Sequence, residues 1–225
     1  AGYCPPTIIE SGGTRQLIVF HPEAIVSMNP IDGSQYWNIP MAPSFEMSIA
    51  RPMIDGNLMF ASAIYNEAIL IQLGTEGASA KELWRGEPKG ALHSANATPQ
   101  FVDGVIYGTD CNEGCLIAVS SKDGSRLWKT FEATKPGEKR FIKHGTAFLT
   151  RIADTDRYFI MSETGDLQIA RLSADGYQDL GRFRAVQPTG EFFGRSVVWS
   201  HPAYANRTAY IRNDEEIVEV DLAKR

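Results

Sequence analysis

The sequence predicts an all-β fold of repeated four-stranded antiparallel sheets, and three observations carry that prediction. The first is the pattern Asp-Gly-x-x-x-Trp, at Asp32-Gly33 to Trp37 and again at Asp123-Gly124 to Trp128. A stretched copy ends at Trp84 and a weakened one at Leu180. The second is a marker in phase with it: Pro6, Pro52, Pro99 and Pro202 each precede a short apolar run, with Ala147 in the equivalent place of the remaining copy. The third is the absence of sustained helical spacing, while short β-rich runs alternate with Gly, Asn and Asp turns. A period of 44–55 residues with four short strands per copy describes the stacked blades of a β-propeller.

The first blade, about residues 5–41, runs from Pro6 to Trp37, and the second, about 51–88, carries an insertion before Trp84. The third, about 98–132, shows the unit most plainly. Gln100-Phe101-Val102, Val105-Ile106-Tyr107, Leu116-Ile117-Ala118-Val119 and Arg126-Leu127-Trp128 are its strands, and Asp103-Gly104, Asn112-Glu113-Gly114 and Asp123-Gly124 its turns. The fourth, about 146–184, has Leu180 where tryptophan is expected. The fifth, about 202–222, has room for three strands, because its tryptophan would fall beyond Arg225. Residues 1–225 thus read as one propeller domain of five blades, the C-terminal part of a seven- or eight-bladed ring, with a complete five-bladed ring as the alternative. The first reading leaves open blade edges, through which the piece is expected to self-associate.

The run Ala118-x-Ser120-x-x-Asp123-Gly124-x-x-x-Trp128 resembles the Ala-x-Asp-x-x-Thr-Gly-x-x-x-Trp signature of PQQ-like (pyrroloquinoline quinone type) propeller repeats. Ser27-x-Asn29-x-x-Asp32-Gly33-x-x-x-Trp37 is a second match, and Ala170-x-Leu172-x-x-Asp175-Gly176-x-x-x-Leu180 a partial one. The resemblance covers essentially the whole chain. It implies that Trp37, Trp84 and Trp128 wedge between neighbouring blades, and it implies a secreted or periplasmic bacterial protein. It does not extend to cofactor or activity: the quinoprotein dehydrogenases of the wider family carry a vicinal Cys-Cys pair and a calcium cluster, and this chain has no Cys-Cys pair. Neither quinone nor calcium is therefore expected.

With 22 basic against 27 acidic residues the chain has no basic stripe, which argues against nucleic acid as a partner. No run of 18 apolar residues offers a membrane span. Ala1-Gly2-Tyr3-Cys4-Pro5 lacks the features of a signal peptide, and an N-terminus that starts in mid-pattern suggests that upstream sequence has been removed.

Cys111 and Cys115 flank the turn between the second and third strands of the third blade, where a disulfide and two free thiols are both geometrically acceptable. Cys4 reads as unpaired. The histidines follow from topology. In an up-and-down blade, the turn after the second strand and the connection after the fourth lie on the same face of the ring. His21 falls in such a turn, and His93, His144 and His201 fall in such connections. Ser94, Asn96, Lys143, Arg195 and Trp199 accompany them. These nine residues define a candidate ligand or partner face at the channel mouth; the competing reading is loop histidines that cap backbone groups. No metal set is recognisable, since Cys-x-x-x-Cys alone is a weak signal. The longest connection, Gly181 to Ser200, includes Phe192 and Phe193, which either fold that loop onto the ring or serve the face.

No nucleophile elbow, phosphate-cradling loop or His-Glu-x-x-His occurs, so no catalytic residue is assigned. The expected function is a non-enzymatic binding or scaffold propeller that presents one loop face to a protein, peptide or glycan. By fold alone the nearest analogy is the periplasmic scaffold of the outer-membrane assembly machine. A divergent quinoprotein-type oxidoreductase, with its site completed by further blades, is the alternative.

Overall fold

A computed structural model describes residues 2–65, 67–87 and 89–223. Five antiparallel meanders follow one another along the chain. The first comprises β1 (Thr7–Ser11), β2 (Thr14–His21), β3 (Ala24–Met28) and β4 (Gln35–Pro40). After a short 3-10 turn at Ser44–Glu46 come β5 (Met53–Asp55), β6 (Leu58–Ser62), β7 (Ala68–Leu73) and β8 (Ala80–Arg85). The third sheet holds β9 (Gln100–Val102), β10 (Val105–Asp110), β11 (Cys115–Ser120) and β12 (Arg126–Thr130). The fourth holds β13 (Ala147–Arg151), β14 (Arg157–Ser162), β15 (Asp166–Ser173) and β16 (Gly176–Arg184). A hairpin of β17 (Gly190–Phe192) and β18 (Arg195–Val197) then precedes the three-stranded sheet β19 (Ala203–Ala205), β20 (Thr208–Arg212) and β21 (Ile217–Asp221). Among the described residues no helix is long and apolar enough to cross a membrane.

The Asp-Gly signature has a local cause. Asp32 accepts hydrogen bonds from the Ser34 amide (2.9 Å) and hydroxyl (2.7 Å), and Asp123 accepts the same pair from Ser125 at 3.0 and 2.7 Å. The glycine between them sits at φ 75° in the first copy and 73° in the third, a conformation that costs glycine little. The two turns are the same object, as the repeat predicts.

Four apolar clusters make up the core, and each joins consecutive sheets. Ile18, Phe20 and Ile25 of the first sheet meet Met59, Ile69 and Ile71 of the second. Phe60 and Leu70 meet Phe101 and Ile117, and Leu116 and Ala118 meet Tyr158 and Ile160. Phe148 and Met161 meet Ala209 and Ile211. Blades buried on both faces explain why strands such as β7 and β11 read as continuous apolar runs rather than alternating ones.

Trp84 and Trp128 reach the following blade. The Trp84 Nε1–H donates to the Ser121 carbonyl and the Trp128 Nε1–H to the Ser173 carbonyl, each at 2.8 Å. Both rings are half-buried. Trp37 is buried against the second blade, but its Nε1–H bonds inside its own blade, to Gln16 Oε1 at 3.0 Å.

The fourth blade corrects the sequence reading. Each outer strand carries a bulge, and in the first three blades the tryptophan follows the bulged residue: Tyr36, Leu83 and Leu127 are skipped, and Trp37, Trp84 and Trp128 face Ser27, Leu70 and Ala118. In the fourth blade Leu180 is itself the skipped residue, 43% exposed, and Gly181 faces Ile169. Leu180 is thus the counterpart of Leu127, and a glycine occupies the tryptophan position. Gly181 has φ 151°, which disfavours any side chain, and a gap of about 140 Å³ lined by Phe159, Ile169 and Phe183 lies beside it. The connection expected from Gly181 to Ser200 is also shorter, since β16 runs on to Arg184 and the remainder is built around the β17–β18 hairpin.

No disulfide joins Cys111 and Cys115, and all three cysteines are free and buried. The turn is one residue longer than a bridge across it needs: Cys115 faces Asp110 in the ladder, so Cys111 lies within the loop. Burial pushes the Cys4 thiol up to about 11, and those of Cys111 and Cys115 up to about 12. The native protein should therefore resist a disulfide reagent such as dithionitrobenzoate at neutral pH, and release three thiols per chain once unfolded in guanidinium. A single released thiol would show that the pair had oxidised.

Candidate functional site

The β2–β3-type turns and the blade-to-blade connections converge on one face, and an apolar pocket of about 440 Å³ opens there. Three blade-to-blade connections and the β6–β7 turn supply most of its wall, and the β17–β18 hairpin with Trp199 closes it. Its rings form an unbroken series. Phe45 packs edge-on to Tyr65 at 5.9 Å between centroids, and Tyr65 lies 5.5 Å from His144. His144 stacks on Phe193 at 5.3 Å, and Phe192 lies 4.3 Å from both Phe193 and Trp199. Met47, Ile49, Ile64 and Ala95 fill the floor between them.

The backbone beneath these rings is strained. Of the ten non-glycine residues with positive φ among those described, four line this pocket: Phe45 (60°), Tyr65 (68°), His144 (53°) and Phe193 (48°). Left-handed backbone costs a bulky residue roughly 1–3 kcal/mol, and such strain persists only where the surroundings enforce it.

Two buried carboxylates brace the loops around the pocket. Asp110, fully buried at the end of β10, accepts hydrogen bonds from the backbone amides of His93 (3.1 Å), Asn112 (2.9 Å) and Glu113 (3.0 Å), and pairs with Arg126 at 2.8 Å. The turn so fixed grips Tyr65: Asn112 Nδ2 donates to the Tyr65 carbonyl (2.6 Å), and the Tyr65 amide donates to Cys111 Sγ (3.3 Å). The Tyr65 hydroxyl meets His144 Nε2 at 3.2 Å. On the far side Glu163, 1% exposed, accepts from Arg195 Nε (2.8 Å), Trp199 Nε1 (3.0 Å) and the Thr146 amide (3.2 Å). It ties the hairpin-bearing connection to the fourth blade.

The sequence places itself among known proteins at this point. The family model described as outer membrane protein assembly factor BamB, a PQQ-like repeat model, matches residues 5–130, more than half of the chain. The chain belongs to that family. Among solved structures it is similar to BamB from Moraxella catarrhalis, with a TM-score of 0.64 at 12% identity over 97% of this chain and 56% of that one. The chain thus spans little more than half the length of that BamB. It is also similar to a protein of unknown function from Bacteroides caccae, with a TM-score of 0.51 at 15% identity over 96% of this chain and 77% of that one. At such identities the likeness is one of fold. A search of the curated proteins finds no match.

Of the residues singled out from sequence, Asn96, His144 and Trp199 line the pocket. Lys143 stands at its rim, 4.3 Å from the Phe193 ring centroid, and Arg195 anchors its far wall through Glu163. His93 and Ser94 are fully buried, the former beside Asp110, so they support the face rather than present it. His201 packs on Phe148 at 4.0 Å and approaches the Asn96 carbonyl at 3.4 Å, outside the pocket lining. His21 stands apart and accepts a hydrogen bond from the Glu23 amide. Sequence reasoning missed Phe45, Met47, Ile49, Ile64, Tyr65, Asp110 and Glu163. The signal available was an aromatic residue in successive loops of the same face. Among the described residues no group of three or more His, Cys, Asp or Glu side chains converges as a metal cage would require.

Acid should weaken the fold in two stages. Burial lowers the His144 pKa below the ordinary 6.5, helped by the charges of Lys143 and Arg195. Desolvation of the His201 ring lowers its pKa as well, although the residue as a whole is exposed. The unfolded chain then binds these protons more readily than the folded one, so stability falls as pH drops below about 6.5. Burial alone would raise the Asp110 pKa, but the His93 hydrogen bond and the Arg126 charge outweigh it and hold it below 3.8. That contribution is present above the unfolded value and is lost as pH falls through the folded one. Calorimetry should show a modest decline in Tm between pH 7 and 5 and a steeper one below 4. A flat Tm between 7 and 5 would contradict the first stage.

Proposed function

We propose that this chain is a binding propeller, non-enzymatic, which receives an apolar segment of a protein or peptide partner in the aromatic pocket. The observation that supports the reading most is the grouping of Phe45, Tyr65, His144 and Phe193, in strained backbone, around one apolar cavity. Folding places apolar side chains in solvent-facing strain only against a cost, and partner binding is the gain that offsets it. A glycan would need several convergent polar groups, whereas this lining is apolar apart from Asn96, His144 and the Tyr65 hydroxyl. The family's described role as an assembly factor agrees with a scaffold that handles other proteins. It also supports a periplasmic or otherwise exported location.

Photo-crosslinking in the producing cells tests the reading. A benzophenone side chain at position 45 or 193 should capture a discrete partner. The same group at the outer-strand bulges 127 and 180, which are also exposed, should not. Equal crosslinking from both sets of positions would count against the pocket as the binding site.

A further inference from the structure

We infer that the seam between the fourth and fifth blades is a second binding site, which takes the tryptophan side chain of a partner polypeptide. The second and third blades show how such a seam is filled. In each, an aromatic residue of the second strand, an aliphatic residue of the third and the tryptophan of the fourth stand opposite one another across the sheet. They are Phe60, Leu70 and Trp84, then Tyr107, Ala118 and Trp128. The two ring pairs lie 6.0 and 6.1 Å apart. Each indole N–H donates to a carbonyl of the following blade at 2.8 Å. The fourth blade keeps the first two members, Phe159 and Ile169, and sets Gly181 against them. The aromatic platform is present and its indole is missing.

The gap left there suits one ring. It measures about 140 Å³ and is lined by Phe159, Leu167, Ile169 and Phe183, and nothing stands within 4 Å of where a Cβ at Gly181 would be. A cavity of roughly 150 Å³ walled by Leu, Ile and Phe holds one benzene ring. The hydrogen-bond acceptor is also in place. The Leu222 amide donates to the Arg207 carbonyl at 2.8 Å, as the Ser121 amide donates to the Gly104 carbonyl at 3.0 Å. Leu222 is therefore the counterpart of Ser121, whose carbonyl receives Trp84. Leu222 lines the gap, and its carbonyl accepts no hydrogen bond among the described residues.

The chain does not fill the gap from Gly181, since φ 151° disfavours a side chain there. Ile169 and Phe183, 37% and 47% exposed, leave it open along the outer strand. Sites for free small molecules run to roughly 300–1,000 Å³. An opening for a single ring matches instead the aromatic anchor by which one protein grips another. No lining residue is shared with the aromatic pocket, so the two sites stand or fall separately.

The test is methyl NMR of the whole chain titrated with N-acetyltryptophanamide, a capped tryptophan. The Ile169 and Leu222 methyl signals should shift saturably at millimolar concentration, while the Ile64 methyls report separately on the aromatic pocket. Methylation of the indole nitrogen should weaken binding about tenfold, because the Leu222 carbonyl then loses its donor. Ile169→Trp places a ring of the chain's own in the gap, and Ile169→Lys places a charge there. Both are changes at a partly exposed side chain, and each should abolish the shift at Leu222. Absence of a saturable shift in the wild type, or its persistence in either folded variant, would overturn the site. Binding of free indole without binding of the capped tryptophan would overturn the side-chain assignment. Equal binding of the methylated compound would overturn the hydrogen bond to Leu222.

Discussion

Asp110→Ala is expected to lower the unfolding free energy by about 3–5 kcal/mol, the usual consequence of removing one partner of a buried ion pair. The carboxylate is wholly buried and satisfies three backbone amides as well as Arg126. Deleting it leaves those donors without an acceptor; the His93 amide is buried, where an unsatisfied donor costs about 1–3 kcal/mol on its own, whereas the Asn112 and Glu113 amides are only part-buried and lose less. Arg126 is partly compensated because it also pairs with Glu113 and donates to the Ala91 carbonyl at 2.9 Å. The damage therefore centres on the β10–β11 turn. That turn holds Tyr65 through Asn112, so peptide binding should fall together with stability. Guanidinium unfolding monitored by tryptophan fluorescence gives the first number and peptide titration the second. A loss below about 1 kcal/mol would mean that the turn is held by other means.

Phe60→Ala should cost a comparable 3–5 kcal/mol by the large-to-small core rule. Phe60 is 1% exposed, sits between the second and third blades, and lies 6.0 Å from the Trp84 ring. Truncation opens a void against two sheets that cannot close up without shifting a whole blade. Leu180→Ala, at an exposed bulge, should stay within about 0.5 kcal/mol. The contrast separates inter-blade packing, where the stability of the fold resides, from outer-strand positions of the same hydrophobicity.

The blades were legible because their signals are local. Strand length, Asp-Gly turns and the in-phase prolines are written within a few residues of the elements they specify, and Asp32 and Asp123 make the same hydrogen bonds in their turns. The register of β16 was not legible. A one-residue shift of a bulge changes which side chain faces the next blade, and in β16 it skips Leu180 and sets Gly181 opposite Ile169. Of the two states the sequence left open for Cys111 and Cys115, the structure has the free thiols, for a related reason: the ladder closes at Asp110 and Cys115, so Cys111 lies within the loop.

The candidate site was half legible. Strand topology alone put His144, Asn96 and Trp199 on one face, and the structure brings these three together. The same argument admitted His21, which the fold leaves by itself, because sharing a face does not bring two loops into contact. The search favoured residue types that carry chemistry, so it passed over the apolar wall of Phe45, Met47, Ile49 and Ile64. Nor does the sequence disclose that Phe45, Tyr65, His144 and Phe193 adopt positive φ, since such backbone is unusual for bulky side chains and is imposed by tertiary contacts.

The central claim is that the pocket itself, and not merely the surface around it, engages the partner. The measurement that tests it most directly is crosslinking from position 193 repeated in Ile64→Arg and, independently, in Met47→Glu, each confirmed as folded by its thermal transition. Both substitutions place a charge in the lining and leave the rim untouched. Loss of the crosslinked product in both variants is the predicted result. Its persistence at wild-type yield in either folded variant would contradict the account.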